Sequence, residues 1–215
     1  MSQTLPEAPR DCPLCPRLVA YREANARAEP TWFNGAAPSF GDANARLLVV
    51  GLAPGRMGAN RTGRPFTGDY AGELLYATLK KFGFAKGEYK ADPNDGFTLV
   101  GAMISNAVRC APPENKPTPE EIKTCRQFLA ARIAALANLK VILALGAIAH
   151  ESVLRTHAMK PSEAKFAHAA EAQLINGPTL ISSYHCSRYN TQTRRLTAEM
   201  FEAVMARAKH IADAR

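Results

Sequence analysis

Short apolar runs alternate along the chain with longer segments that have the spacing or the start signals of helices. The apolar runs have the length of strands and lie at residues 47–50, 97–104, 140–145, 173–175 and 178–182. The helical segments lie at residues 16–28, 71–84, 118–138, 147–156 and 197–212. This alternation predicts an α/β fold, a three-layer α/β/α sandwich with a mainly parallel central sheet. No repeat or linker divides the chain, so we expect one domain over residues 1–215.

Long polar loops follow three of the predicted strands, at residues 51–70, 105–117 and 183–195. In a parallel sheet, ligands bind beyond the carboxyl ends of the strands, so these loops are expected to meet at one edge. The first loop has five glycines, three arginines and a single carboxylate, Asp69. Its glycines are not spaced as in a dinucleotide-binding loop, and it lacks the ending of a Walker A loop. A carboxylate among arginines predicts a site for a polyanionic substrate.

The charge balance points to nucleic acid as the partner. The formal net charge is +8 and the isoelectric point is near 9.4, which is high for a small enzyme. No run of eighteen apolar residues exists, so we expect no membrane-spanning segment. The N-terminal residues contain no apolar signal segment, so we expect a cytoplasmic protein.

Four of the five cysteines are spaced as metal ligands. Cys12 and Cys15 form a Cys-x2-Cys pair, and Cys110 and Cys125 are separated by fourteen residues. In a reducing compartment these cysteines favour a metal site over disulfides, either zinc or an iron–sulfur cluster. The helix that begins near residue 118 places Cys125 close to the loop that carries Cys110. The alternative is that Cys110 and Cys125 are core thiols and that only the Cys-x2-Cys pair binds metal.

The three loops bring together side chains suited to cleaving a bond between a sugar and a base. Asn106 and Asn115 each offer an amide donor and a carbonyl acceptor, as reading a base edge requires. His185 can donate a hydrogen bond to a leaving group that gains negative charge. Asp69 can orient water or stabilise a developing cation, and Phe66 can stack on a flat ring. His157 and His168, in a polar segment, are expected to be solvated.

Two loop motifs resemble those of the uracil-DNA glycosylase superfamily, and of its family 5 in particular, the type B iron–sulfur enzymes. The first is GLAPGRMGANRTGRPFTGD, from Gly51 to Asp69, and the second is YHCSRYNTQT, from Tyr184 to Thr193. The order of the four spaced cysteines also matches this family. The resemblance covers most of the chain, from Cys12 to the final helix.

The resemblance implies a monofunctional DNA glycosylase of base excision repair. Such an enzyme flips uracil, and in this family also hypoxanthine or other deaminated bases, out of DNA and hydrolyses the N-glycosidic bond. The product is DNA with an abasic site. Cys12, Cys15, Cys110 and Cys125 would hold a [4Fe–4S] cluster rather than zinc. We therefore expect a monomer that is associated with the nucleoid and acts on DNA containing uracil or other deaminated bases.

The resemblance also implies roles for individual residues. The catalytic residues would be Asp69, His185 and Asn115. The pocket for the base would be formed by Gly51, Leu52, Ala53, Phe66 and Asn106. The contacts with DNA would come from Arg61, Arg64, Ser187, Arg188, Tyr189 and Asn190. Other families place a polar residue at the position of Leu52, so its absence makes Asp69 the acid of the loop, and Asn106 would favour uracil.

A second function class stays open from the sequence. The same basic edge and cysteines would suit a non-catalytic iron–sulfur or zinc protein that binds nucleic acid. The presence of Asp69 and His185 in separate loops favours the enzyme, because a binding protein needs neither. No lysine lies at a motif position, so no Schiff-base lyase step is expected.

Overall fold

The structure is a computed structural model that describes residues 7–214. Its strands are β1 (Phe40–Gly41), β2 (Leu47–Gly51), β3 (Ala85–Lys86), β4 (Thr98–Leu99), β5 (Ala102–Asn106), β6 (Val141–Leu145), β7 (Glu171–Gln173) and β8 (Thr179–Ser183). Its α-helices are α1 (Pro16–Ala28), α2 (Ala59–Thr62), α3 (Tyr70–Lys81), α4 (Pro119–Ala134), α5 (Ala147–Thr156), α6 (Arg188–Gln192) and α7 (Ala198–Asp213).

Six strands form the central sheet in the order β1-β5-β2-β6-β8-β7. The four inner strands, β5, β2, β6 and β8, are parallel to one another, and the short edge strands β1 and β7 are antiparallel to their neighbours. The carboxyl ends of β2, β5 and β8 therefore open at the same edge of the sheet. The loops predicted to converge leave the sheet at that edge.

The two faces of the sheet pack against different helices, which explains why β2 is apolar at every position. Leu47 and Val49 belong to a core that also contains side chains of α3 and α7. Leu48 and Val50 belong to a second core, with side chains of α4 and α5. Because side chains alternate across a strand, a strand covered on both faces has no polar positions. The predicted three-layer α/β/α sandwich is confirmed.

The sequence predicts one strand over residues 97–104, and this prediction is wrong because the segment forms two strands. It is divided into β4, which pairs with β3 in a separate two-stranded sheet, and β5, which belongs to the central sheet. Gly101 separates the two with φ of +63°, a left-handed conformation that interrupts an extended strand. Its backbone N–H donates to Oδ2 of Asp42 at 2.8 Å.

Most helix boundaries agree with the predicted segments. α1 and α5 have the predicted bounds, and α4 begins at a complete capping box between Thr118 and Glu121. α4 ends at Ala134, earlier than predicted, and α3 ends at Lys81. Among residues 7–214, no helix is long and apolar enough to cross a membrane.

Candidate active site

The three polar loops meet at the carboxyl edge of the sheet and enclose a cavity of about 360 Å³. Backbone hydrogen bonds join the first two loops, since Ala107 and Val108 donate to the carbonyl oxygens of Gly51 and Leu52, both at 2.9 Å. The cavity is lined by Leu52, Ala53, Pro54, Gly55, Phe66, Asp69, Tyr70, Ala71, Asn106, Asn115, His185, Ser187 and Arg188. Residues far apart in sequence therefore share one chamber, as the sequence predicts for its three loops.

Gly51 allows two cavity residues to approach the end of β2. A Cβ atom at this position would lie 2.5 Å from Oδ1 of Asn106 and 2.6 Å from Cζ of Phe66. Asn106 is the partner of Gly51 in the sheet register, so its amide is held at the end of β5. Gly51 itself is buried beneath these two side chains, and Leu52 and Ala53 form the adjoining wall.

The Phe66 ring forms a buried wall of the cavity from an unusual backbone conformation. Its φ is +54°, which is costly for a bulky side chain and persists only when neighbours hold it. Two tyrosines do so, because the Tyr76 hydroxyl donates to the Pro65 carbonyl at 2.6 Å and the Tyr89 hydroxyl donates to the Phe66 carbonyl at 3.1 Å. The Phe66 ring stacks with His185, with centroids 5.9 Å apart.

Asp69 serves as the N-cap of α3 and also faces the cavity. Its Oδ1 accepts the backbone N–H of Gly72 at 3.3 Å. Burial raises the pKa of the Asp69 carboxyl above its usual value, and the N–H groups of Gly72 and Ala71 oppose this rise. The carboxylate is therefore fixed in position at a helix N-terminus and is more basic than a solvated aspartate.

His185 lies across the cavity on the loop that follows β8. Burial lowers the pKa of His185 to about 4, because a positively charged ring in this site would lack the hydration that it has in water. The imidazole is therefore neutral near pH 7. Among the described residues, no side-chain hydrogen bond occupies its ring, whereas its carbonyl oxygen accepts from Nδ2 of Asn190 at 2.8 Å. A neutral ring with free nitrogen atoms can donate one N–H to a ligand.

Asn115 lies at the rim of the cavity. It ends the short 3-10 turn Pro113–Asn115, is exposed, and has φ of +57°. The turn is closed by the Asn115 N–H, which donates to the Pro112 carbonyl at 3.2 Å. Its amide therefore reaches the mouth of the cavity, in contrast to the amide of Asn106, which lies at the base.

The predicted DNA contact at Arg64 is wrong. The Arg64 side chain is buried and forms a bidentate ion pair with Asp95, at 2.8 and 2.9 Å. Its guanidinium also packs within 5.2 to 5.6 Å of the ring centroids of Phe40, Tyr76 and Tyr89. The buried Arg64 side chain therefore stabilises the loop at residues 51–70 and is not available to a phosphate.

Replacing Asp95 with asparagine is expected to lower the free energy of unfolding by about 3–5 kcal/mol, because a buried Arg64 cation loses its partner. The Arg64 guanidinium holds the pKa of the Asp95 carboxyl far below its usual value. The native protein should therefore keep this contribution above about pH 4 and lose it as the pH falls towards the depressed pKa. Urea unfolding at pH 7 and at acidic pH measures both effects.

Glu202 provides the control for the Asp95 experiment. It pairs with Lys81 at 2.6 Å, but both side chains are partly solvated. Replacing Glu202 with glutamine should cost less than about 1 kcal/mol. Equal losses for the two variants would contradict a special role for the buried pair.

The remaining predicted DNA contacts divide into two groups. Arg188 and Tyr189 are exposed at the start of α6, and Arg61 is exposed on α2 with its Nε donating to the Met57 carbonyl at 2.9 Å. These three side chains can face a ligand in solution. Ser187 caps α6 and lines the cavity. The predicted DNA contact at Asn190 is not supported, since its amide group holds the carbonyl of His185.

His168 is a residue whose position sequence reasoning missed. It was expected to be solvated, yet its Nδ1 accepts the backbone N–H of Tyr184 at 3.3 Å, next to His185. The His168 ring also stacks on the Tyr184 ring, with centroids 5.1 Å apart. The guanidinium of Arg195 lies 4.7 Å from the centroid of the same Tyr184 ring. Burial lowers the pKa of His168, which favours the neutral form that this hydrogen bond requires.

The four spaced cysteines line a second, enclosed cavity between α1 and α4. Its other walls are mainly apolar and include Leu18, Val108 and Phe128. Within the described part of the chain, no group of three or more His, Cys, Asp or Glu residues is close enough to hold a single metal ion. The fifth cysteine, Cys186, is buried elsewhere, in the core that contains α3 and α7.

Positive charge is buried beside this cysteine cavity. Arg22 places Nη1 at 3.7 Å from Sγ of Cys110 and donates to the Cys12 carbonyl at 3.1 Å. The backbone N–H of Arg109 donates to Sγ of Cys125 at 3.2 Å, and its guanidinium is almost completely buried. These contacts suit cysteine ligands that carry negative charge.

Glu7 is the shared carboxylate partner of two buried arginines. Nη1 of Arg109 lies 3.0 Å from Oε2 of Glu7, and Nη2 of Arg132 contacts Oε1 of the same side chain. Nε and Nη2 of Arg109 and Nε and Nη1 of Arg132 have no hydrogen-bond partner among residues 7–214. One carboxylate thus faces two guanidinium groups, and excess buried positive charge is left near Cys125.

Comparison with known proteins identifies relatives across most of the chain. A model of the uracil DNA glycosylase superfamily matches residues 38–209. A type-5 uracil-DNA glycosylase of Thermus thermophilus is 46% identical over 207 residues, which are 94% of each chain. A type-5 uracil-DNA glycosylase of Mycobacterium bovis is 38% identical over 94% of this chain and 78% of the relative. A type-4 uracil-DNA glycosylase of Pyrobaculum aerophilum is 31% identical over 71% of this chain and 64% of the relative.

Proposed function

Because the chain belongs to the uracil DNA glycosylase superfamily, with type-5 enzymes among its relatives, we propose that it excises uracil from DNA by hydrolysing the N-glycosidic bond. The predicted family and the enzyme class, a DNA glycosylase, are confirmed by this membership. The observation that carries the proposal is the placement of Asp69 and a neutral His185 in one cavity, where Phe66, from the loop of Asp69, stacks with the His185 ring. The product would be DNA with an abasic site.

The cavity has the size and lining to take a single flipped base. Its volume of about 360 Å³ and the apolar part of its lining, Leu52, Ala53, Pro54 and Phe66, suit a planar ring. Phe66 offers a stacking face, and Leu52 and Ala53 form the adjoining wall. Asn106 can pair its amide with the hydrogen-bonding edge of uracil, which carries both donors and acceptors. These contacts would hold the base so that its glycosidic bond points towards Asp69.

Asp69 would act on the sugar side of that bond. As the bond breaks, positive charge develops on the sugar, and a carboxylate nearby stabilises it. The raised pKa also makes Asp69 a better acceptor for a proton from the attacking water. Asn115, at the rim of the cavity, would help to orient that water.

His185 would act on the base side. The departing uracil gains negative charge, and a neutral imidazole can donate an N–H hydrogen bond to its oxygen. Because the pKa of His185 is lowered to about 4, the ring is neutral near pH 7 both before and after the reaction. Asn190 and His168 hold the loop on both sides of His185 through its carbonyl and through the N–H of Tyr184.

Exposed residues around the mouth of the cavity would contact the DNA. Arg61 and Arg188 would pair with phosphates, and Ser187 would donate a hydrogen bond beside them. Tyr189, which is 71% exposed, could enter the space that the flipped base leaves in the duplex. We expect one domain, acting as a monomer on DNA in the cytoplasm and its nucleoid.

We assign a [4Fe–4S] cluster to Cys12, Cys15, Cys110 and Cys125. Four sulfur atoms bound to zinc at about 2.3 Å would lie close together. The four cysteines share one cavity with mainly apolar walls, and an iron–sulfur cluster is a cofactor held by four cysteine thiolates. The unpartnered buried donors of Arg109, which lines this cavity, also fit an anionic group at this place. When bound, the cluster would cross-link the N-terminal segment to α4.

Replacing His168 with leucine is expected to lower kcat about tenfold with little change in KM, because the loop that carries His185 would lose its anchor. Asparagine at this position can still accept the N–H of Tyr184, so the His168→Asn variant should recover much of the rate. Steady-state kinetics on uracil-containing DNA distinguishes these variants. Equal rates for the leucine and asparagine variants would show that the hydrogen bond to Tyr184 does not matter.

A labelled oligonucleotide with a single uracil tests the proposed function. Incubation with the protein, followed by hot alkali, should cleave the strand at the uracil position, because alkali breaks abasic sites. Without alkali the strand should stay intact, since no lyase step is proposed. A matched thymine oligonucleotide serves as the control, and a hypoxanthine oligonucleotide tests the broader substrate range. Absence of cleavage in both single-stranded and duplex uracil DNA would favour a non-catalytic DNA-binding protein.

A further inference from the structure

A second groove lies beside the base cavity, and Tyr70 belongs to the walls of both. The groove has a volume of about 440 Å³ and runs between α3 and the segment that joins α6 to α7. Leu74, Thr191, Arg194, Leu196 and Thr197 complete most of its lining. Of these five residues, only Thr191 lies in one of the two loop motifs. The proposed excision of uracil uses none of the five.

Tyr70 separates the two spaces and presents an aromatic surface. It is the first residue of α3, directly after Asp69, and it is 43% exposed. The guanidinium of Arg188 lies 5.2 Å from the centroid of its ring. This contact orients the ring without covering all of it. An exposed aromatic ring beside an arginine is a surface on which a nucleic-acid base can stack.

The far side of the groove adds an apolar floor and a second cation. Leu196 is fully buried, and its N–H donates to the Asn190 carbonyl at 3.0 Å, which closes the turn after α6. Arg194 lies in this turn with φ of +56°, and its N–H donates to the Thr191 carbonyl at 3.2 Å. Its guanidinium is exposed and forms no ion pair among residues 7–214.

We propose that this groove holds the nucleotide next to the flipped one in the same strand. The base of that nucleotide would leave its stack and rest against Tyr70 and Leu74, and its phosphate would pair with Arg194. Two observations favour this occupant over a peptide or a small metabolite: the groove continues the base cavity across a single side chain, and its one charged lining residue is an arginine, Arg194. The proposal rests on the proposed excision of uracil, because it assumes that the base cavity holds the flipped nucleotide.

The consequence is a preference for DNA that is already unpaired around uracil. Removing two adjacent bases from a duplex costs more than removing one, and a single strand does not incur most of this cost. Tyr70 would then contribute to substrate selection, apart from the chemistry at Asp69. The wild-type protein should therefore act faster on a single-stranded uracil substrate than on the matched duplex.

The experiment combines protein variants with altered neighbours of uracil. Tyr70→Leu removes the ring, Tyr70→Phe keeps it, and Arg194→Gln removes the charge. Each variant is tested under single-turnover conditions on a normal single strand and on strands that carry an abasic spacer either 5′ or 3′ of uracil. Tyr70→Leu should reduce kcat/KM about tenfold on the normal strand. On one of the two spacer strands, which lacks the base that would stack, it should match the wild type.

Two comparisons separate this result from general damage to the site. Tyr70→Phe should retain the rate on every strand, and Arg155→Gln, on the exposed last turn of α5, is the control for loss of one positive charge. Arg194→Gln should weaken binding on the normal strand, seen as a higher KM. If Tyr70→Leu loses the same factor on all three strands, Tyr70 serves only the base cavity and the proposal is overturned.

Failure of the proposed function would give a different pattern. In that case the wild-type protein would release uracil from none of the strands. The groove would then be tested by fluorescence anisotropy with a labelled single strand. Weaker binding by Tyr70→Leu and Arg194→Gln than by Tyr70→Phe would support the nucleotide groove, and equal binding by all three would overturn it.

Discussion

Replacing Asp69 with asparagine is expected to lower the single-turnover rate of uracil release by roughly 10²–10⁴-fold. The carboxylate is the only acidic group that lines the base cavity among the described residues. An amide has nearly the same shape, but it carries no negative charge and accepts no proton from water. Binding to uracil-containing DNA should be retained, because the stacking and amide contacts of Phe66 and Asn106 are unchanged. Rapid-quench kinetics and anisotropy measure the two quantities separately.

The position of Asp69 at the start of α3 determines which variants are informative. Asparagine and serine cap helices about as well as aspartate, whereas alanine does not, at a cost of about 1 kcal/mol. Asp69→Asn and Asp69→Ser should therefore lose activity at unchanged stability, and Asp69→Ala should lose both. A variant with asparagine that turns over at the wild-type rate would reduce Asp69 to a helix cap.

The pH dependence of the reaction follows from the same carboxyl group. A solvated aspartate has a pKa of about 3.9. Burial raises the pKa of Asp69 above its usual value, so Asp69 begins to be protonated at a higher pH than a solvated aspartate. The rate should be constant around neutral pH and should fall as acidification protonates Asp69. The lowered pKa of His185 keeps its ring neutral through most of this range. An Asp69→Asn variant should retain little activity and should not show this acid limb.

Features that depend on neighbouring residues could be predicted from the sequence. The apolar run at β2 marks a strand buried on both faces, and the start of α5 follows from Gly146 at the end of β6. Asp69 illustrates the same point for the site. The sequence predicts it as a carboxylate of the loop cavity, and the structure shows that Asp69 lines the cavity and also caps α3.

Features that depend on a distant partner could not be predicted in this way. Arg64 has the sequence context of a phosphate contact, but Asp95, which neutralises it, is 31 residues further along the chain. His168 is 16 residues from Tyr184, on a segment whose polar composition indicates solvent exposure. In both cases folding brings together a donor and an acceptor that no local pattern relates. The break between β4 and β5 has the same origin, since it depends on which strand each half can pair with.

The cysteines combine both kinds of information. Their order predicts a shared site, and all four line one cavity. The surrounding charges were not predicted, because Glu7, Arg22, Arg109 and Arg132 come from separate segments. Their combined charge is positive, with three guanidinium groups and one carboxylate. Burying this excess is costly unless a negative group lies beside it, which relates the stability of this region to the cofactor.

Replacing Cys125 with serine is therefore expected to lower the free energy of unfolding by about 3–5 kcal/mol, as for a buried charge that loses its partner. Serine is a poor ligand for iron, so the cluster would be lost or would bind weakly. Arg22 and Arg109, which contact Cys110 and Cys125, would then lose the anionic group beside them, and Arg109 would keep only the Glu7 carboxylate as its partner. The Cys125→Ser variant, purified without oxygen, should lack the brown colour, the iron and the sulfide of the wild-type protein. Urea unfolding, visible absorption and metal analysis give the three measurements.

Cys186 provides the matched control because it is buried but lies outside the cysteine cavity. Cys186→Ala should keep the colour, the iron and the sulfide, so that any general effect of removing a buried thiol is measured separately. A zinc site would give a colourless wild-type protein and one zinc ion lost in Cys125→Ser. If Cys125→Ser instead retained iron and unfolded at the wild-type urea concentration, Cys125 would be a core thiol, and the excess charge of Arg22 and Arg109 would need another anion.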